Sequence, residues 1–153
     1  MAIEYYNNLP KKRIGAGVII LNGKEEVLIV KPGYKDHWSI VGGVVDENES
    51  PLKAARRETK EEIGIELKDA RFLCVDHVLD NGKGESLQFI FYGGKLDEEE
   101  IKKIKIDGKE IVEYKFVKTD DALRLLSENS RIRLSKCFKA LKNDTAIYSE
   151  GDK

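Results

Sequence analysis

Residues 43–65 read GVVDENESPLKAARRETKEEIGI, and their spacing predicts a helix from Pro51 to Ile63. Ser50 stands where an N-cap is wanted, Pro51 fits the first helical position because its missing N–H has no partner there, and Gly64 supplies a left-handed stop. At about 100° per residue, Leu52, Ala55, Thr59 and Ile63 form one apolar stripe. Glu58, Glu61 and Glu62 fall on the arc beside it, and Lys53, Arg56, Arg57 and Lys60 on the arc beyond. The plain alternative is a solvated helix in which Arg57 pairs with Glu61. Against it, Glu58 and Glu62 repel each other at i,i+4, at a cost of roughly 0.2–0.5 kcal/mol. They also sit near the helix C-terminus, where the dipole disfavours negative charge. A divalent cation would offset both.

Ahead of this helix lies Trp38-Ser39-Ile40-Val41-Gly42-Gly43, a strand-like run ending in paired glycines. Paired glycines serve an ordinary turn equally well. Next to an acid-faced helix they also let backbone groups approach a phosphate or a metal without a side chain in the way.

The run from Gly43 to Ile65 resembles the signature of the Nudix (MutT-like) hydrolases. Gly43, Glu49, Arg57, Glu58, Glu61, Glu62, Gly64 and Ile65 all stand at the spacing of that pattern, and Thr59 occupies a position it prefers aliphatic. Val41 takes the place where family members often carry proline. The resemblance implies an α+β fold, an α/β/α sandwich around a mixed β-sheet. It also implies Mg²⁺-dependent hydrolysis of a nucleoside diphosphate linked to another moiety, with Mn²⁺ as a possible substitute. It assigns Glu58 and Glu62 as metal ligands, Glu61 as a third ligand or one acting through water, and the Gly42 carbonyl as a backbone ligand beside Gly43. Arg57 and Glu49 then organise the carboxylates. The general base is open among Glu58, Glu61, Glu110 and Glu113, and Glu113 is favoured downstream because it faces away from the apolar side of its strand. Two other classes stay open, a catalytically silent nucleotide-binding module and a phosphohydrolase of non-nucleotide diphosphates. Marks that set apart members acting on ADP-ribose, NADH, coenzyme A or dinucleoside polyphosphates are missing, and Pro51 is the last proline.

The 153 residues, 41% hydrophobic, suit a single domain 1–153 with a core over about 12–142 and a loose polar tail from 143 to 153. A net charge of −1, with basic residues scattered, argues against a nucleic-acid scaffold or a membrane-surface binder. The expected partner is a small nucleotide, for a monomer or homodimer. No apolar run reaches membrane-spanning length and the opening residues lack a hydrophobic signal core, so the expected location is cytoplasmic. Cys74 and Cys137, both in apolar company, read as reduced core thiols. His37 and His77 stand isolated.

Elsewhere, residues 14–21 and 27–30 read as a hairpin through Asn22-Gly23, and residues 72–78 and 87–92 as a second around Asn81-Gly82. The charged run 97–103 reads as a solvated helical turn or a mobile insertion. Alternation over residues 110–117 puts Val112, Tyr114 and Phe116 on one face. Thr119 is a candidate cap for a short helix to Leu126, and Leu134, Cys137, Phe138 and Leu141 follow helical spacing. Tyr5, Tyr6, Arg13 and Trp38 are candidates for gripping a base or phosphate, or for ordinary packing.

Overall fold

A computed structural model describes residues 2–151; Met1 and the last two residues of the polar tail, Asp152 and Lys153, lie outside the described residues. In chain order the elements are α1 (Ala2–Asn7), β1 (Arg13–Leu21), β2 (Val27–Pro32), β3 (Val41–Val44), α2 (Pro51–Ile63), β4 (Arg71–Val78), β5 (Ser86–Lys95), α3 (Glu98–Lys102), β6 (Ile111–Val117), α4 (Thr119–Leu125), α5 (Glu128–Lys142) and β7 (Ile147–Ser149).

The strands form one mixed 7-stranded sheet in the order β6-β2-β1-β5-β4-β7, with β3 paired to β1 off that path. β1 runs parallel to β5 and β4 parallel to β7, while the remaining pairs are antiparallel. Both expected hairpins are present. Asn22 turns the first by accepting the N–H groups of Lys24 and Glu26 on its Oδ1. One edge of β1 is divided: Leu21 pairs with Val27 of β2, whereas Gly15 to Val18 pair with β3. That division brings Gly42 and Gly43 against the middle of β1.

Strand alternation sorts the core into two layers. Ala16, Val18 and Ile20 of β1 join Ala54, Ala55 and Ile63 of α2 on one face. Ile19 and Leu21 join Ala122, Leu134 and Cys137 of α4 and α5 on the other. Helices on both faces of a mixed sheet make the expected α/β/α sandwich. Cys74 and Cys137 are buried free thiols hydrogen-bonded to each other across β4 and α5.

Several expectations need correction. Leu52 is 36% exposed although it shares the stripe of Thr59 and Ile63, because it stands in the first turn of α2, while Ala54 and Glu62 are buried. The acid arc therefore belongs partly to the buried face instead of bordering it. Val112 and Tyr114 are exposed, since β6 is an edge strand bordered only by β2. Lys118, not Thr119, is the N-cap residue of α4 and makes no side-chain cap bond. Residues 97–103, by contrast, hold the expected solvated helical turn, the short helix α3 with a full capping box between Asp97 and Glu100. The polar end is not loose throughout: β7 pairs with β4 and buries Ser149, to which Lys136 donates.

Candidate active site

α2 is fixed at both ends. Ser50 accepts the N–H of Lys53 at 3.1 Å, Pro51 opens the helix, and Gly64 adopts φ 73° while its N–H closes on the carbonyl of Lys60. The preceding loop is tied to the helix by Arg57. Its Nε donates to Glu49 at 2.8 Å, Nη2 donates to Glu49 at 3.0 Å and to the Val44 carbonyl at 3.1 Å, and Nη1 donates to Glu58 at 2.9 Å and Glu61 at 3.2 Å. Held by that fork and by the Asp46 N–H, the Glu49 carboxyl drops to a pKa of about 2. Glu49, and then Glu58, hold the Arg57 guanidinium firmly charged.

On the buried side, Glu62 is 8% exposed and accepts the Gly42 N–H at 2.9 Å. Its pKa is pushed up to about 8, chiefly by burial and further by the charges of Glu58, Glu110 and Glu61; the bond from Gly42 offsets only part of this. Burial likewise raises Glu58, against the pull of Arg57. The paired glycines make room for these side chains. A Cβ on Gly42 would collide with the Ala16 carbonyl and the Gly17 Cα, and one on Gly43 would occupy the space of the Glu58 carboxylate.

Glu110 completes the cluster from the turn before β6. Its carbonyl accepts the Gly33 N–H, and Asp107 pins the turn by accepting the N–H groups of Lys109 and Ile111. One carboxylate oxygen each from Glu58, Glu62 and Glu110 lie within 4.8 Å of one another. Three oxygens that close form a donor set suited to a hard divalent cation such as Mg²⁺. They open into a groove of about 400 Å³, whose other walls include Arg13, Lys35, Gln88 and Arg133.

Of the residues singled out from sequence, Gly42, Gly43, Glu58, Glu62, Glu110 and Arg13 therefore line one groove. Glu61 is not in it; its side chain is half exposed and paired with Arg57. Glu113 is an exposed residue of β6, in register with Lys31. Trp38 packs against the α4/α5 layer with Lys115 Nζ 4.5 Å from its ring centre, and Tyr5 and Tyr6 are exposed on α1. Lys35 comes from the loop 33–37, which the sequence places near the glycine turn, whereas sequence reasoning missed Gln88 and Arg133, which the sheet pairing and the return of α5 bring to this place.

The chain matches the NUDIX domain over residues 11–138, and it belongs to the Nudix family. It is 43% identical over 61 residues to an RNA pyrophosphohydrolase of Hydrogenovibrio crunogenus, a match covering 40% of this chain and 37% of that protein. Over 62 residues it is 39% identical to an 8-oxo-dGDP phosphatase of Danio rerio, covering 39% of this chain and 19% of the relative. The matched stretch thus spans little more than a third of the first relative and a fifth of the second. The MutT protein of Methanosarcina mazei Go1 shares the fold, with a TM-score of 0.72 at 22% identity over 88% of this chain and 99% of that one.

Proposed function

We propose that this protein is a pyrophosphohydrolase that cleaves a nucleoside diphosphate linked to another moiety, by attack of water at phosphorus, in the cytoplasm. The observation that carries this reading is the convergence of Glu58, Glu62 and Glu110 on one point at the floor of a groove with basic walls. The fit to a cation is physical: among the described residues Arg57 reaches Glu58, but no cationic side chain bonds Glu62, whose buried carboxyl is correspondingly hard to ionise.

Glu58 and Glu62 are the residues that would hold Mg²⁺, or Mn²⁺ in its place. When bound, the ion supplies positive charge against the phosphate oxygens and lowers the repulsion that a diphosphate presents to water. The chain's own groups do the rest. Glu110, the downstream carboxylate that reaches the cluster, is assigned the water's proton in preference to Glu113. Arg13, Lys35 and Arg133, which line the same groove, hold phosphate oxygens. Arg57 and Glu49 fix the Glu58 carboxylate, and Glu61 acts through Arg57, away from the reacting atoms.

A panel of nucleoside triphosphates, nucleotide-sugars, dinucleotides and non-nucleotide diphosphates, assayed with and without Mg²⁺ in ¹⁸O water, tests the proposal. The expected result is metal-dependent cleavage of a nucleotide with label in a single phosphate product. Label-free products, a trapped phosphoenzyme, or turnover of non-nucleotide diphosphates alone would overturn it.

A further inference from the structure

Asp76 of β4 is the most deeply buried acid among the described residues, 2% exposed, and it is paired across β4 and β5 with Gln88 of the carboxylate groove. Both of its oxygens are taken. Oδ2 accepts Nε of Arg133 at 2.8 Å, and Oδ1 accepts the Gly151 N–H at 2.9 Å. Gly151 is held from its other side as well. Lys136, about one turn along α5 from Arg133, donates Nζ to the Gly151 carbonyl at 2.6 Å and to the Ser149 hydroxyl at 2.9 Å. One buried carboxylate thus ties together β4, α5 and the residues that follow β7.

The plain reading of such a pair is architectural, a joint between α5 and the sheet. A joint of that kind is strongest when the carboxylate takes two nitrogens of the guanidinium side by side. Asp76 takes only Nε, because its second oxygen is committed to Gly151. Among the described residues Arg133 makes no further hydrogen bond or ion pair, so its two terminal nitrogens have no acceptor in the protein. They are not sealed away either, since no buried side-chain nitrogen is left without a partner. Arg133 lines the same groove as Glu58, Glu62 and Glu110. A guanidinium restrained at Nε presents its outer edge, with two N–H donors spaced to match two oxygens of a phosphate.

We propose that Asp76 is a positioning residue of the diphosphate site: anchored by Gly151, it holds Arg133 at Nε so that the outer edge of the guanidinium meets a phosphate of the substrate. The proposal rests on the reading that the groove takes a diphosphate. It gives the residues after β7 a part in substrate binding through the Gly151 N–H, although Gly151 does not itself line the groove. Asparagine cannot stand in for Asp76. Its single oxygen serves either Arg133 or Gly151, and its NH₂ group then meets the other donor.

Calorimetry with methylenediphosphonate, a diphosphate that water does not cleave, tests this in Mg²⁺ buffer without turnover. Asp76→Asn and Arg133→Gln should each weaken binding of the probe about tenfold or more, the loss expected of a hydrogen bond to a charged group. The double variant should bind no more weakly than Arg133→Gln alone, because Asp76 acts only through that side chain. Mg²⁺ affinity should stay within about twofold in all three, which a general loosening of the fold would not allow. Removing one member of a buried ion pair can prevent folding, so Arg133→Lys gives a second reading that keeps the charge. Its ammonium can remain on Asp76 but offers no outer edge to phosphate, and it should bind the probe as weakly as Arg133→Gln. If Asp76→Asn does not fold, Arg133→Lys alone decides. The proposal is overturned if the unaltered protein does not bind the probe, if Asp76→Asn or Arg133→Lys binds it as the unaltered protein does, or if the losses add in the double variant. The expected losses without cleavage of any nucleotide would sink the activity and leave the positioning role standing. Cleavage without those losses would do the reverse.

Discussion

Glu49 and Glu62 belong to the same signature, on opposite flanks of α2, and the protein treats them in opposite ways. Glu49 receives two nitrogens of Arg57 and a backbone N–H, and its carboxyl falls to about 2. Glu62 is buried with one backbone N–H beside two other carboxylates, and its carboxyl rises to about 8. One acid is completed by the chain; the other, on the function proposed above, is left for a cation from outside. That proposal divides the helix between a flank that positions and a flank that binds.

The largest test removes the second flank. Glu62→Gln should lower kcat by about a hundredfold or more, in line with loss of roughly 3 kcal/mol of electrostatic stabilisation. Near-normal metal-dependent turnover would cancel the assignment. The metal-free protein should show the same contrast in its melting curve. Glu62, with a folded value raised to about 8 from 4.5, contributes stability that is fully present below pH 4.5 and lost as pH rises through 8. The loss is on the order of 5 kcal/mol. Glu49, lowered to about 2, contributes stability present above pH 4.5 and lost as pH falls toward 2. Metal-free melts should therefore peak near pH 5, and either Glu62→Gln or added Mg²⁺ should abolish the fall on the alkaline side.

A second test asks which downstream acid joins the binding flank. Glu110→Gln should reduce kcat/KM by about a hundredfold and flatten the acid limb of its pH profile, the effect of removing a general base. Glu113→Gln should stay within about twofold, as exposed substitutions do. If Glu113→Gln flattens the limb instead, the geometry of the cluster has been misassigned.

That pair also shows what the sequence could reveal. The signature helix is legible because its signals are local: Ser50, Pro51 and Gly64 lie within or beside the segment they delimit, and an Asn-Gly pair marks each hairpin. Strand alternation correctly puts Glu113 on the side away from Phe116, but alternation says nothing about which end of β6 approaches α2. That depends on the Gly33 contact and the Asp107 turn, which come from different parts of the chain. Periodicity puts Leu52 on the apolar stripe but cannot show that the first turn of α2 is left uncovered, nor that Glu62 is buried beside the stripe. β7, only Ile147–Ser149, is hidden by its short length and polar surroundings. Asp76 and Arg133 pair over a separation of 57 residues with no periodic signal to join them.

The positioning flank is probed by Arg57→Lys. The charge remains, but one ammonium cannot reach Glu49, the Val44 carbonyl, Glu58 and Glu61 together as the planar fork does. Metal affinity by calorimetry should fall about 10–100-fold, the usual effect of disturbing the groups that orient ligands. Unchanged metal affinity with a raised KM would move Arg57 to the substrate and dissolve the division between the flanks.

The smallest effect is expected at the helix start, where Ser50→Ala removes the oxygen that accepts the Lys53 N–H. Loss of such a cap costs about 1 kcal/mol, or roughly 2–4 °C in melting temperature for a chain of this size. Pro51 and the Arg57–Glu49 fork still hold the first turns, and Gly64 still closes the far end near Glu62, so the carboxylates should keep their places. Metal affinity should then match that of the unaltered protein within about twofold, the scatter of a neutral surface change. A fall as large as that of Arg57→Lys would show that the acids are positioned by the helix as a whole, and that Arg57 has no separate part in orienting them.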